Sequence, residues 1–186
     1  MPLRSVFIAL LVVMASLTSP VQAQFSQTWD MLKAVDEGEL NEARQLILNG
    51  ANPNARGEEG YPALMMAGEA RNMAMFKMLL ENGARVDGRS EKRNETTLMR
   101  RAEVGDVEAV KILIEYGADV NVQDRGGETP LMKATRSRKT RIVRELLEAG
   151  ADMNTSDYTG KTAMDYAIAA RARKVQKLLE NAAAEQ

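Results

Sequence analysis

A short pattern recurs along the chain at an almost constant interval. A Gly-Ala step is followed, three residues after the alanine, by Asn or Asp. The four copies are Gly50-Ala51 with Asn54, Gly83-Ala84 with Asp87, Gly117-Ala118 with Asn121, and Gly150-Ala151 with Asn154. A period of about 33 residues predicts a stack of similar units, each of which buries its apolar face against its neighbours. Such repeats usually serve binding, which weighs against an enzyme.

A second series of positions divides each period. An apolar residue precedes each glycine at one fixed distance, at Met31, Leu64, Leu98 and Leu131, and Met164 continues the series. Two residues before the last three stand Thr96, Thr129 and Thr162, where a hydroxyl can cap a helix, and Pro130 suits a first helical turn. A second apolar stretch with spacings of three and four follows, and the glycine can end it in a left-handed conformation. Each unit is therefore predicted as helix, turn, helix, glycine stop and extended loop.

The best-preserved unit identifies a family. The segments 128–134 (ETPLMKA) and 142–154 (IVRELLEAGADMN) resemble an ankyrin repeat almost position for position. The resemblance covers about residues 28–181 and implies an all-α solenoid of stacked helix-turn-helix units with β-hairpin-like loops. We expect a single domain over 24–186 with about five units, at 25–56, 57–90, 91–123, 124–156 and 157–186.

The sequence departs from the family pattern in three places. The usual histidine after the apolar landmark is replaced by Leu32, Met65, Met99, Met132 and Asp165, so a side-chain hydrogen bond between neighbouring turns is expected to be missing. Arg101 occupies a position that a small residue normally fills. The loop from Asp87 to Thr96 is one residue longer than its counterparts and carries Asn94 in place of a glycine.

The amino-terminal segment has the pattern of a secretory signal peptide. Arg4 precedes an apolar run of 12 residues, Val6 to Leu17, and Val21-Gln22-Ala23 supplies small residues for cleavage after Ala23. A run of 12 is shorter than the ~20 residues that cross a bilayer, although an uncleaved anchor is the alternative. The predicted signal peptide is 1–23, and we expect a periplasmic protein without stable membrane insertion after its removal.

Composition limits the chemistry that the chain can perform. It contains no cysteine and no histidine, which removes thiolate chemistry, the commonest general base and the commonest metal ligand. With 25 basic and 26 acidic residues, the net charge of −1 gives no global attraction to nucleic acid. Gly160-Lys161-Thr162 lacks the glycines of a phosphate-binding loop. We therefore expect no enzyme activity, no catalytic residues, no cofactor, no metal and no nucleic-acid partner.

Two compositional clusters have more than one interpretation. Met65, Met66, Met73, Met75, Met78 and Met99 are concentrated in the second and third units. The first interpretation is that these methionines pack in the core. The alternative is that they form an adaptable apolar recognition patch. The densest basic run, 136–144 (RSRKTRIVR), predicts a solvated turn and outer helix face, with a docking patch for a partner or an anionic polymer as the alternative.

The resemblance also implies where a partner binds. In ankyrin proteins the loop tips and the exposed face of the first helix form a concave surface, and the residues outside the repeat consensus select the partner. By position, the partner-binding residues are Arg56, Glu58, Glu59, Tyr61, Glu69, Arg89, Lys92, Arg93, Glu95, Glu103, Gln123, Arg125, Glu128, Arg136, Tyr158 and Lys161. Tyr61 and Tyr158 are the expected anchors, because tyrosine is enriched in interface hot spots.

These observations predict a non-enzymatic, exported scaffold. We expect a monomer that binds a protein partner in the periplasm through its concave groove, with peroxide stress defence as a role implied by resemblance to small exported ankyrin proteins of bacteria. The alternative is an inhibitor or immunity protein that blocks the active site of a toxin or another enzyme.

Overall fold

The computed structural model describes residues 20–57 and 59–184, with side chains described from residue 26 onward. Within these ranges the regular secondary structure consists of α-helices, joined by turns and loops that carry isolated antiparallel bridges. The first helices of the five units are α1 (Pro20–Glu37), α3 (Ala63–Glu69), α5 (Thr97–Val104), α7 (Pro130–Arg136) and α9 (Ala163–Ala169). The second helices are α2 (Leu40–Leu48), α4 (Met73–Glu81), α6 (Val107–Glu115), α8 (Thr140–Glu148) and α10 (Arg173–Ala184).

The helices begin where the sequence predicts caps. The hydroxyl oxygens of Thr96, Thr129 and Thr162 accept hydrogen bonds from the backbone N–H three residues later, at 3.3, 3.3 and 3.4 Å. Pro130 occupies the first turn of α7. In the fifth unit Asp165 completes a capping box, because its Oδ2 accepts the Thr162 backbone N–H at 2.8 Å. Asp165, at the position of the missing histidine, therefore bonds within its own unit.

The units stack in two layers around one apolar core. First helices contact first helices from α1 to α9, and second helices contact one another between α2 and α4 and from α6 to α10. The landmark residues Met31, Leu64, Leu98 and Leu131 are at most 1% exposed and lie in this core. The stacked solenoid predicted from the period is confirmed.

Most of the clustered methionines belong to this core. Met65, Met75, Met78 and Met99 are fully buried or nearly so, and Met66 and Met73 are partly buried. Core packing thus accounts for most of the cluster, because a flexible thioether fills irregular gaps between stacked helices.

Hairpin loops join the units and stack on one another. The N–H of Glu91, Arg125 and Tyr158 each donates to a carbonyl of the preceding hairpin, at 3.2, 3.2 and 3.0 Å. The hairpin that starts the third unit is one residue longer, as predicted, and Asn94 adopts φ +57° where its counterpart glycines also have positive φ. Asparagine tolerates this left-handed conformation better than most residues do.

The Asn of the repeated pattern joins each unit to the next. Asn54 Nδ2 donates to the Gly83 carbonyl at 3.1 Å, and Asn54 Oδ1 accepts the Arg85 N–H at 2.7 Å. Asn121 makes the same pair of bonds with the Gly150 carbonyl at 3.3 Å and the Asp152 N–H at 2.8 Å. The period therefore marks a hydrogen bond that is repeated from unit to unit.

The first helix is longer than the repeat alone would require. Its described part runs from Pro20, three residues before the predicted cleavage site, and continues through Trp29 without the hairpin that starts each later unit. The signal peptide itself falls mainly on residues 1–19, outside the described part of the chain, and stays a prediction.

Candidate partner-binding groove

The hairpin loops and the first helices line one side of the solenoid, and the predicted partner-binding residues lie on it. Three of them, Arg56, Arg89 and Gln123, occupy equivalent positions and connect adjacent hairpins. Arg89 Nη1 donates to the Gln123 carbonyl at 2.9 Å, and Gln123 Nε2 donates to the Ser156 carbonyl at 3.1 Å. Arg56 Nη1 donates in the same way to the Arg89 carbonyl. These three side chains hold the loops in register.

Other predicted partner-binding residues belong to a buried ionic cluster. Lys133 is fully buried, and its Nζ lies 2.8 Å from Glu95 Oε1, 2.8 Å from Asp124 Oδ2 and 3.1 Å from Glu128 Oε2. Glu95 is only 1% exposed. Burial lowers the pKa of Lys133, but the hydrogen bonds and charges of Asp124 and Glu95 outweigh it and raise that pKa. The Glu95 carboxylate thus serves contacts between units three and four.

The cluster continues toward the fifth unit. Arg136 pairs with Glu128, lies 3.0 Å from Glu103 Oε1 and sits over the ring of Tyr166, 5.8 Å from its centroid. The Tyr166 hydroxyl donates to Asp157 Oδ2 at 2.6 Å. Burial and this hydrogen bond raise the pKa of Tyr166, and the same bond is the main cause that lowers the pKa of Asp157.

Arg101, the departure from the small-residue pattern, is paired across the boundary between units two and three. It is 2% exposed, its Nη1 donates to the Gly68 carbonyl at 2.9 Å, and its Nη2 makes an ionic contact of 2.6 Å with Glu69 Oε1. Arg100 Nη2 lies 2.9 Å from the same oxygen. Burial raises the pKa of Glu69, but the two guanidinium groups outweigh it and lower that pKa. Gly68 leaves the space in which this arginine lies.

Most of the remaining predicted residues are exposed along the hairpins. Tyr158 is 73% exposed, with its ring against the backbone of Gly127. Glu59 and Lys92 form an exposed ion pair of 3.3 Å between neighbouring loops, and such a pair adds little stability. Arg93, Arg125 and Lys161 are also exposed, Arg93 beside Glu95 at 3.4 Å. Glu58 lies outside the described residues.

A cleft opens at the amino-terminal end of the groove, between α1 and the first hairpin. It has a volume of about 350 Å³ and contains Tyr61 together with Trp29, which is 56% exposed. Leu32 and Met66 add apolar surface, and charged groups stand around it. The charged lining residues are Lys33, Asp36 and Glu59.

The repeat geometry agrees with a comparison of the sequence with known families. A model of ankyrin repeats, in three copies, matches residues 31–124 and 98–186. The chain belongs to the ankyrin-repeat family. Ankyrin repeats are protein–protein interaction modules and are typically non-enzymatic, so the chain is a module for binding proteins.

Individual relatives match through their repeats. The palmitoyltransferase Hip14 of Drosophila melanogaster is 30% identical over 110 residues, which is 59% of this chain and 17% of that protein. The putative ankyrin repeat protein FPV014 of Fowlpox virus is 34% identical over 86 residues, 46% of this chain and 20% of the viral protein. Ankyrin repeat domain-containing protein 63 of Mus musculus is 32% identical over 106 residues, 54% of this chain and 27% of that protein. The chain spans about a quarter or less of the length of these relatives.

Several important residues of the ankyrin groove escaped the sequence reasoning. Lys133, Asp124, Asp157 and Tyr166 form the ionic cluster, and Trp29 lines the cleft. A signal existed for the two aspartates, because they occupy equivalent positions at the start of successive hairpins. Within the described part of the chain, no helix is long and apolar enough to cross a membrane.

Proposed function

We propose that this ankyrin-repeat protein is exported to the periplasm and holds a protein partner in the groove between its hairpins and first helices. Export is supported by the signal-peptide pattern of residues 1–23. A role in peroxide stress defence is supported only by the resemblance to small exported ankyrin proteins.

The observation that carries the proposal is the cleft beside Trp29. An apolar side chain of a partner can replace water against Trp29, Leu32 and Met66, and each 100 Å² of apolar surface so removed from water contributes about 2.5 kcal/mol before the cost of association. Half-exposed aromatic residues next to a concavity are typical interface anchors.

Charge along the hairpins supplies orientation. Asp36 and Glu59 outnumber Lys33 around the cleft, whereas Arg125 and Lys161 are exposed cations further along the row of hairpins. A partner with the opposite order of charges is favoured, and long-range attraction accelerates its association more than it strengthens the complex. The proposed partner therefore places a basic, apolar segment at the amino-terminal cleft.

The test is affinity capture from periplasmic extract of the source cells, followed by titration of the recovered protein. Trp29→Ala is the variant of the cleft, and Leu48→Ala is its matched control, since Leu48 is a 66% exposed apolar residue at the end of α2. We expect Trp29→Ala to weaken binding at least about 10-fold, as a hot-spot residue does, and Leu48→Ala to leave it unchanged.

Equal affinity of both variants and the unchanged protein would place the interface outside the cleft. Absence of any partner, together with turnover of a substrate, would overturn the proposed function as a whole. If the recovered partner is a toxin or another enzyme that loses activity in the complex, the function is that of an inhibitor.

A further inference from the structure

The edge of the solenoid opposite the hairpins is strongly basic in the last two units. Each hairpin precedes a first helix, and the turn to the second helix follows that helix, so hairpins and turns lie at opposite ends of the first layer. In the fourth unit, the turn and α8 carry Arg138, Lys139, Arg141 and Arg144. The three arginines are exposed and Lys139 is half-buried.

The fifth unit repeats this charge one repeat later. Its turn and α10 carry Arg171, Arg173, Lys174 and Lys177, all of them exposed. Among the described residues, no carboxylate forms an ion pair with any of the eight cations just named in the fourth and fifth units. We call these eight residues the basic edge. Stacking brings together two charge clusters that are separate in the sequence.

The basic edge is a local property and is not imposed by the repeat. The third unit has Gly105, Asp106 and Glu108 where the fourth has Arg138, Lys139 and Arg141. Its Lys111, the counterpart of Arg144, is neutralised by Glu145 at 3.0 Å. The ankyrin fold therefore forms equally well without positive charge at these positions.

Two arginines of the basic edge lie at turn positions where a residue other than glycine costs conformational free energy. Arg138 and Arg171 adopt φ of +56° and +52°, as Arg71 of the second unit does at +54°, at the position where the first and third units have Gly38 and Gly105, at +80° and +89°. A left-handed backbone disfavours side chains with a Cβ and favours glycine. Arg173 lies in the first turn of α10, where the helix dipole also disfavours a cation.

We propose that the basic edge binds the surface of an anionic phospholipid membrane, peripherally and without insertion. Clusters of four to eight Lys and Arg are typical of segments that adhere to anionic lipid through charge alone. The described exposed aromatics, Trp29, Tyr116 and Tyr158, lie away from this edge, which therefore lacks a stacking platform for single-stranded nucleic acid. Long exposed cations on turns suit a flat surface of many phosphates better than one acidic peptide, which requires pockets for its anchors.

This binding leaves the groove accessible. The hairpins and the amino-terminal cleft point away from an edge that lies on a membrane, because they occupy the other end of the first helices. The protein can therefore present a partner at the membrane surface, while lipid binding itself requires no partner.

The test is sedimentation of the purified protein with two kinds of vesicle at low and high salt. One kind is phosphatidylcholine alone, and in the other one lipid in three is phosphatidylglycerol. The variant Arg144→Glu/Lys177→Glu is compared with Arg44→Glu/Lys77→Glu. These four residues are the fifth residues of their second helices, so both variants change the charge by the same amount at the same helical position. The neutral vesicles measure any binding through apolar segments, which all variants share.

We expect binding to anionic vesicles that weakens with salt and exceeds binding to neutral vesicles. Each Lys or Arg near an anionic surface strengthens binding about fivefold, so Arg144→Glu/Lys177→Glu should weaken it at least about 25-fold. The amino-terminal control should weaken it much less, because its charges lie outside the edge. Equal binding to both vesicle types, or equal losses in the two variants, would overturn the proposal.

A second variant separates lipid binding from fold stability. Arg138→Gly/Arg171→Gly places glycine at two left-handed positions, so the urea midpoint should not fall while lipid binding falls about 25-fold. Unchanged lipid binding would count against the proposal. Binding to duplex DNA without binding to anionic vesicles would replace it with a nucleic-acid site.

Discussion

Replacing Asp87 with Asn should stabilise the protein. Asp87 is the only aspartate among the four residues that end the Gly-Ala pattern, and it accepts the Asp119 N–H at 3.2 and 3.3 Å. Its counterparts Asn54 and Asn121 accept the equivalent N–H and also donate to a glycine carbonyl of the next unit. An ionised carboxylate has no hydrogen to donate. At the contact between units two and three, this second bond is missing.

The magnitude follows from one hydrogen bond. A neutral bond of this kind contributes about 1 kcal/mol to stability, and removal of a partly buried negative charge beside Asp119 acts in the same direction. We expect Asp87→Asn to increase the free energy of unfolding by about 1 kcal/mol. For a chain of this size that raises Tm by about 2–4 °C.

The pH dependence provides an internal check. Burial is the largest cause that raises the pKa of the Asp87 carboxyl, and the nearby Asp119 charge adds to it. The folded protein therefore binds this proton more readily than the unfolded chain, so the unsubstituted protein gains relative stability as pH falls through that pKa. The advantage of Asp87→Asn should be complete at pH 7, should shrink as pH falls through the raised pKa of the folded protein, and should reach its minimum below about 4, the ordinary pKa of an aspartate.

Urea unfolding followed by circular dichroism measures this difference at pH 7 and pH 3.5. The matched control is Asn121→Asp, which should lose the bond to Gly150 and cost about 1–2 kcal/mol at pH 7. A lower urea midpoint for Asp87→Asn at pH 7 would refute the reasoning, and so would an advantage that persists unchanged at pH 3.5.

Substitutions at three further residues test the buried polar contacts of the stack. Lys133→Met should cost about 3–5 kcal/mol in urea unfolding, because it leaves buried carboxylates without their cation; a loss below about 1 kcal/mol would contradict this. Asp157→Asn should cost about 1 kcal/mol at pH 7 and reduce the stability that is lost on acidification, since the hydrogen bond from Tyr166 lowers the pKa of Asp157 and stabilises the fold only above it. Arg101→Ala should cost more than Arg101→Met in the same assay, because alanine adds a cavity to the lost bond with Gly68; equal losses would exclude the packing contribution.

The sequence predicted the parts of the fold that depend on local chemistry. Thr129 caps a helix, and Asn94 replaces a glycine in a left-handed backbone conformation. Both roles depend on the residue's own backbone conformation, so they can be inferred from a few neighbouring residues. Lys133 could not be assigned in this way. Its partner Glu95 lies 38 residues earlier, and only the angle between stacked units decides whether a charge at that position faces solvent or a neighbour. Buried charges that pair across units are therefore the contacts that periodicity leaves undetermined, whereas the Asn bonds between units recur with the period.

The geometry of the groove decides which substitutions can identify a partner site. Charge reversal at Arg89 would remove its bond to the Gln123 carbonyl and disturb the stacked hairpins, so a loss of binding would not distinguish contact with a partner from a displaced loop. Lys92 shares only an exposed ion pair, and Lys161 projects from its hairpin, whereas the ring of Tyr158 lies against the backbone of Gly127 in the preceding unit. Because exposed pairs contribute little to stability, changes at Lys92 and Lys161 alter the surface and leave the scaffold intact. Reduced affinity at those positions, with an unchanged urea midpoint, is therefore the result that assigns the groove to a partner.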